Sequence, residues 1–208
     1  MPHPLKLAPL GSILVTYGDN PDQPSGLQGW LLRRAYAGIR QHQRALFHDH
    51  KSDGVHIQIK VGTPGFYGQW VSATIPRVVE HYNPIGTNQK YRLYHFHRPL
   101  PEAATEALVA YARFMVGQPY DTLQLVGIAA SEQKWIPKFM RNWLGERLQL
   151  PGRKEVCSTL AARAYEAAHI VAKWQDPDFP PPLTVDPFDC TPAHFEHSPN
   201  FILAHEQL

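Results

Sequence analysis

The sequence predicts a domain of the α+β class, in which an antiparallel sheet packs against helices. Short segments with the residue pattern of strands lie close together in the first half of the chain, as in an antiparallel meander. Longer segments with helical spacing of their apolar residues dominate the second half. The chain has 208 residues, 43% of them hydrophobic, which is enough for one domain with a buried core.

The clearest strand pattern is VHIQIKVG at 55–62, where apolar and polar residues alternate strictly. Successive side chains of a strand point to opposite faces of its sheet. One face would carry Val55, Ile57, Ile59 and Val61, and the other His56, Gln58 and Lys60. This pattern predicts a half-buried strand. Further strands are predicted at 11–17 (GSILVTY), 69–75 (QWVSATI) and 91–97 (YRLYHFH).

Helices are predicted where apolar residues recur every three or four positions. They cover 27–47, 102–117 and 156–174, and Cys157 falls in the first turn of the last one. Shorter helical pieces are predicted within 119–130 and 135–148. The proline-dense tail, 175–208, is expected to wrap the core in extended form, so that 1–208 is a single domain.

Composition and charge exclude several classes of function. The formal net charge is only +2, which does not favour nucleic acid as a partner. Two cysteines are too few for a disulfide scaffold or a four-thiolate zinc site. The N-terminus lacks the pattern of a secretory signal, and no apolar run reaches the roughly 18 residues that span a bilayer. We therefore expect a protein made in the cytoplasm, without an integral membrane segment.

Cys157 is the first candidate for chemistry. A thiol at the start of a helix feels the positive end of the helix dipole and the free N–H groups there, which favour the thiolate and lower its pKa. A nucleophilic thiol also needs a base. His56 could supply it, since a strand holds an imidazole rigidly, as general-base catalysis requires. Taken alone, each residue also has a non-catalytic interpretation. Cys157 could be a small buried apolar residue of the helix, and His56 an exposed residue of the strand.

The order of several segments favours the catalytic interpretation. VHIQIKVG and WVSAT, then a long helical stretch and VCSTLAARAYEAA, resemble the circularly permuted branch of the NlpC-like papain-fold superfamily, the YiiX-like proteins. GSILVTY resembles the family's opening strand, with Ser12 in place of Asp. GQPYDTL and TPAHFEHSPNF resemble later family segments. The resemblance implies a papain-like, circularly permuted fold and a thiol hydrolase with Cys157 as nucleophile and His56 as base.

The third catalytic residue departs from the family pattern. The resemblance assigns the position to Ser72, where the family usually has Glu or another hydrogen-bonding residue. Gln58, on the face of His56, is an alternative orienting residue or oxyanion donor, and it stands where the family often has a small residue. A backbone amide near Cys157 is a further alternative donor.

Other candidates are weaker. Cys190 is the rival nucleophile, but no small-residue helix follows it, so we expect a structural residue of the tail. His48 with His50, and His95 with His97, could each begin a metal site, yet neither pair has a third ligand at a familiar spacing. We predict neither a metal nor a cofactor.

The function predicted is amide-bond cleavage through a Cys–His acyl-enzyme, by an amidase or endopeptidase. The resemblance implies peptide or peptidoglycan-like substrates. A cell-wall target would require export by a specialised secretion system, as an effector toxin, and an immunity or inhibitor protein could then be a partner. The alternative is an intracellular substrate. Two alternatives stay open: a lipid acyl hydrolase or acyltransferase of the lecithin:retinol acyltransferase type, and a non-catalytic papain-like binding domain.

Overall fold

The computed structural model describes residues 4–17, 26–48, 53–62, 69–74, 76–82, 84–85, 89–120 and 156–208. The strands in these ranges are β1 (Ile13–Tyr17), β2 (Gly54–Lys60), β3 (Trp70–Ala73), β4 (Val78–His81), β5 (Lys90–Phe96) and β6 (Phe201–Gln207). The helices are α1 (Pro4–Leu7), α2 (Gly26–Phe47), α3 (Glu102–Phe114), α4 (Cys157–Gln175) and α5 (Pro192–His197), and a 3-10 turn spans Pro187–Asp189.

The strands form one antiparallel sheet in the order β4-β3-β2-β1-β5-β6. The first four strands follow one another as a meander, and β5 then pairs with the free side of β1. The predicted α+β class with an antiparallel sheet is thus confirmed. Strand β4, absent from the prediction, is only four residues long and extends the meander by one strand.

Helices α3 and α4 pack on one face of this sheet. The two helices contact each other, and both bury small residues: Ala104 and Ala112 of α3 and Ala161, Ala164 and Ala168 of α4 are all fully buried. Alanines let two helices approach closely without a loss of packing density. The apolar positions of β2, Ile57 and Ile59, lie in the same core cluster, so this face holds the main core.

The other face of the sheet is also covered, which corrects the prediction for β2. Leu5 and Ala8, from α1 and the residues after it, form a second cluster with Leu14, Trp70 and Tyr91. As a result Gln58 is 4% exposed and Lys60 is fully buried, and only His56 is half-buried. Strand β2 is central and buried on both faces, so alternation along it does not separate core from solvent.

Lys60 shows how the second face accommodates a charge. Its Nζ donates to the carbonyl oxygen of Leu5 at 3.5 Å and lies 5.3 Å from the centre of the Trp70 ring. A carbonyl dipole and an indole face are both favourable neighbours for an ammonium group. Burial nevertheless lowers the pKa of Lys60.

The tail was predicted to wrap the core in extended form, and this prediction is corrected, because the tail contains a helix and a strand. After residue 190 it forms α5 and then β6, which pairs with β5 along its whole length. Phe195 and Phe201 are buried in the main core cluster. The prolines at 180–182 and at 187 and 192 separate these elements rather than prevent them.

The helical pieces predicted within 119–130 and 135–148 lie outside the described residues, except for residues 119 and 120. Within the described ranges, no helix combines the length and the apolar character needed to cross a membrane.

Candidate functional site

Cys157 is the first residue of α4, and no side chain caps that helix end. Cys157 is 6% exposed, and its thiol lies beside three backbone N–H groups, those of Ile57, Ser158 and Cys157 itself. Two of these belong to the uncapped first turn, whose N–H groups have no partner within the helix. The third belongs to β2, so the sulfur joins the start of the helix to the sheet.

The contact with Ile57 lies at an open edge of β2. Lys60 donates its N–H to Ser12 on the β1 side, and Val61 donates to Gln69 on the β3 side. The N–H groups alternate in direction along a strand, so the N–H of Ile57 points toward the β3 side. Strand β3 pairs with β2 only at Ile59 and Lys60. Toward Ile57, no further strand pair is formed on this side of β2 by the residues that the structure describes, and the thiol lies beside the N–H there.

His56 immediately precedes the peptide group that contacts the thiol. Its side chain is half-buried on the face away from Ile57, and no hydrogen bond of its ring is found within the described part of the chain. Burial, together with the positive charge of His81, lowers the pKa of His56 to about 4. The imidazole is therefore neutral at pH 7, the form that can accept a proton.

The predicted thiolate is wrong for the resting protein. Burial raises the pKa of Cys157 to about 11 and outweighs the three backbone N–H groups, which lower it. Desolvation penalises the charged form of any group that leaves water. The structure thus places the Cys157 thiol beside the N–H of Ile57, the residue after His56. The neutral His56 imidazole lies on the face of the sheet opposite α4, and no hydrogen bond joins it to the thiol in the described residues.

Ser72 is buried on β3, 1% exposed, and its hydroxyl contacts a histidine other than His56. Its Oγ lies 3.2 Å from Nε2 of His81 on β4. Sequence reasoning missed His81 because the short strand β4 was not predicted. The signal was a histidine in the apolar run RVVEHY, which has a weak strand pattern.

The side-chain amide of Gln58 has a partner other than the thiol. Its Nε2 donates to the carbonyl oxygen of Pro84 at 2.5 Å, on the face of the sheet that also carries the His56 side chain. The hydrogen-bond donors that do surround Cys157 are backbone N–H groups. The alternative that named a backbone amide near Cys157 as oxyanion donor stays a prediction, and these N–H groups are the ones that it would use.

Cys190 lies close to the start of α4. Ser158 donates its Oγ–H to the carbonyl oxygen of Cys190 at 2.6 Å. Burial and the charge of a Cys157 thiolate both raise the pKa of Cys190. The two cysteines are free thiols, and Cys190 sits in the core as a packing residue of the tail.

Gln43 of α2 fixes the start of β2 beside this site. Its buried amide donates to the carbonyl oxygen of Gly54 at 2.9 Å and accepts from the N–H of Ala193 at 2.7 Å. One side chain thereby satisfies two buried backbone groups from strands and helices far apart in the sequence. It ties the strand of His56 to α5.

The histidine pairs considered for metal binding are dispersed. Nδ1 of His95 lies 3.0 Å from Oγ of Ser12, His97 and His48 are exposed, and His50 is outside the described residues. Within the described ranges, no three His, Cys, Asp or Glu side chains are grouped as metal ligands would be.

Neither the order of the segments nor this site has an independent match. Comparison of the chain with protein-family models, with curated proteins and with solved structures gives no match in any of the three. The resemblance to the permuted NlpC-like hydrolases therefore stays a prediction.

Proposed function

We propose that the protein is a cysteine hydrolase that cleaves an amide bond, with Cys157 as nucleophile and His56 as general base. The observation that carries the proposal is the contact between the thiol and the peptide group joining His56 to Ile57. This contact brings the start of α4 to the edge of the strand that carries His56. The proposal requires the imidazole to reach the sulfur around that edge. A circularly permuted papain-like architecture is part of the same proposal.

The neutral resting pair sets the order of events. His56 takes the proton of the Cys157 thiol as the sulfur attacks the carbonyl carbon of the substrate, because the thiolate is not present beforehand. The tetrahedral intermediate expels the amine, which receives the proton from His56, and leaves a thioester. Water, deprotonated by His56, then hydrolyses the thioester and restores the thiol.

Backbone groups supply the donors for the oxyanion. The N–H groups of Cys157, Ser158 and Ile57 already point toward the sulfur. A carbonyl oxygen bound next to that sulfur would meet the same donors, and its developing negative charge would be stabilised in a poorly hydrated site. Removal of a single such donor typically slows a reaction by about a hundredfold or more.

Peptidoglycan peptides are the substrates to examine first, because the resemblance implies them. The purified protein should release new free amines from peptidoglycan, detected by mass spectrometry of the fragments. Cys157→Ser and His56→Ala should each lower the rate by about a thousandfold. Cys190→Ala is the matched control and should retain the rate. Equal rates for Cys157→Ser and the unaltered protein would refute the hydrolase.

A second candidate function, a non-catalytic binding domain, is favoured by the buried thiol and its raised pKa. Iodoacetamide separates the two. A catalytic pair should make Cys157 react faster than Cys190 at pH 7, and His56→Ala should slow it. Equal labelling of the two thiols, unaffected by His56→Ala, would favour the binding domain.

A further inference from the structure

The short helix α5 has a histidine in its capping box. The helix begins after Thr191, and His194 stands three residues later. The backbone N–H of Thr191 donates to Nδ1 of His194 at 3.0 Å, and the Thr191 hydroxyl oxygen lies 3.0 Å from the same nitrogen. In a capping box the third residue of the helix is usually Glu or Gln, whose side-chain oxygen accepts this N–H. Here an imidazole nitrogen takes the place of that oxygen.

The direction of this hydrogen bond determines the protonation of His194. A backbone N–H can only donate, so Nδ1 must carry a lone pair and the neutral ring must hold its proton on Nε2. In the imidazolium both ring nitrogens carry a hydrogen. Protonation would turn Nδ1 into a donor that faces the N–H of Thr191, and the hydrogen bond of the cap would be lost.

The groups around His194 favour the neutral ring. Burial is the largest effect and lowers the pKa of His194, and the charges of His42 on α2 and His197 on α5 act in the same direction. Asp189 of the 3-10 turn and the backbone of Thr191 act against them, but the net shift is downward.

The other charged groups on the elements around α5 are directed elsewhere in the described part of the chain. Arg44 is paired with Asp53, Glu196 and Glu206 are paired with Arg92, and His56, Lys60 and His205 lie on the opposite face of the sheet.

Helix α5 connects several parts of the fold. The N–H of Ala193 donates to the side chain of Gln43 on α2 at 2.7 Å, and Gln43 donates to the carbonyl oxygen of Gly54 at the start of β2. Glu196 accepts hydrogen bonds from two tyrosine hydroxyls, on β1 and β5. A helix of only six residues has little stability of its own, so these contacts depend on its cap.

We propose that the Thr191–His194 pair is an acid-sensitive latch. Near neutral pH, Nδ1 of His194 accepts the N–H of Thr191, and α5 holds α2 and the start of β2 in place. When acid protonates His194, this hydrogen bond is lost and α5 is released, so the strand that carries His56 loses its support. The latch does not depend on the proposed hydrolase, because it is formed by α5 and its contacts alone.

The protonation of His194 is tested by NMR. Nitrogen-15 shifts distinguish the two neutral tautomers of an imidazole from the imidazolium, and the contact with the Thr191 amide assigns the ring. At pH 7.5 His194 should be protonated on Nε2 alone, and its pKa should lie below the ordinary value of 6.5. The amide signal of Thr191 should shift with the same midpoint. A proton on Nδ1 at pH 7.5, or a pKa at or above 6.5, would overturn the proposal.

The release of α5 is tested by amide hydrogen exchange. Between pH 7.5 and pH 5.5, the protection factor of the Ala193 amide should fall several-fold, with a ceiling of about tenfold, because the pH falls one unit below the ordinary histidine pKa. His194→Gln supplies a usual capping residue that takes up no proton, so its protection should not follow the pH. His197→Gln, which removes the exposed ring stacked on Phe47, should keep the fall.

Two outcomes of the exchange experiment count against the latch. One is a constant protection factor in the unaltered protein, and the other is a fall of the same size in His194→Gln. If His194→Gln does not fold, His194→Glu replaces it, since its carboxylate stays ionised over this pH range. The NMR titration needs no variant, so it decides the proposal even if neither variant folds.

Discussion

Replacement of His56 by glutamine should remove a defined part of the pH dependence of stability. The folded pKa of His56, about 4, is lower than the ordinary value of 6.5. When folding lowers the pKa of a histidine, its contribution to stability is complete at pH values above its pKa in the unfolded chain. That stability is lost as the pH falls through the window from 6.5 to about 4.

The size of the effect follows from the same two values. The drop from 6.5 to about 4 corresponds to about 3 kcal/mol between the two ends of the window. The ring is half-buried rather than fully enclosed, so screening by solvent reduces the expected value to about 2 kcal/mol. The slope within the window is at most about 1.4 kcal/mol for each pH unit.

Urea unfolding followed by tryptophan fluorescence measures the free energy of unfolding between pH 7.5 and pH 4.5. The unaltered protein should lose about 2 kcal/mol more than His56→Gln over this range. Burial also lowers the pKa of His95 and of His194, but both residues are present in both proteins and cancel in the difference. His97→Gln, at an exposed position, is the control. Parallel curves for His56→Gln and the unaltered protein would show that His56 is not held neutral by the fold.

Three further predictions concern the structure around the site. Glu196→Ala removes a buried carboxylate that accepts hydrogen bonds from two tyrosine hydroxyls and from Arg92, so the free energy of unfolding should fall by about 3 kcal/mol. Glu196→Gln keeps a hydrogen-bond acceptor, so its free energy of unfolding should fall by only about 1 kcal/mol. Equal falls in Glu196→Ala and Glu196→Gln would contradict this interpretation. Gly54→Ala places a Cβ against Cγ1 of Val15 on the neighbouring strand, and calorimetry should show a destabilisation of about 1 to 3 kcal/mol. Gln43→Ala leaves two buried backbone groups without these hydrogen-bond partners, so the free energy of unfolding, measured with urea, should fall by at least about 2 kcal/mol. A fall of less than about 0.5 kcal/mol, as for a typical surface substitution, would refute the role of Gln43.

Local periodicity predicted the long elements well. Strand β2 and helices α2 and α4 lie within two residues of their predicted bounds. The elements missed among the described residues are α1, β4, the 3-10 turn, α5 and β6. The first four have three to six residues, too few repeats for a pattern. Strand β6 has seven residues, but its apolar and polar residues do not alternate, and its pairing with β5 defines it.

The candidate site was predicted in part. The placement of Cys157 at a helix start follows from the alanine-rich sequence after it, and it is confirmed. Its pKa was predicted in the wrong direction, because the helix dipole is a local property whereas burial is not. His81 could not be paired with Ser72 in advance, since that contact depends on the register of an unpredicted strand.

The sequence by itself determined the class of the fold, the faces of the strands and the helix start that carries Cys157, because these follow from the order of residues within a segment. Only the tertiary structure decided which faces of the sheet are buried and which side chains are in contact. Lys60 is buried by Leu5, 55 residues earlier, and Gln58 is bound by Pro84, 26 residues later. Burial is a property of the assembled chain, and it is burial that leaves Cys157 and His56 both neutral.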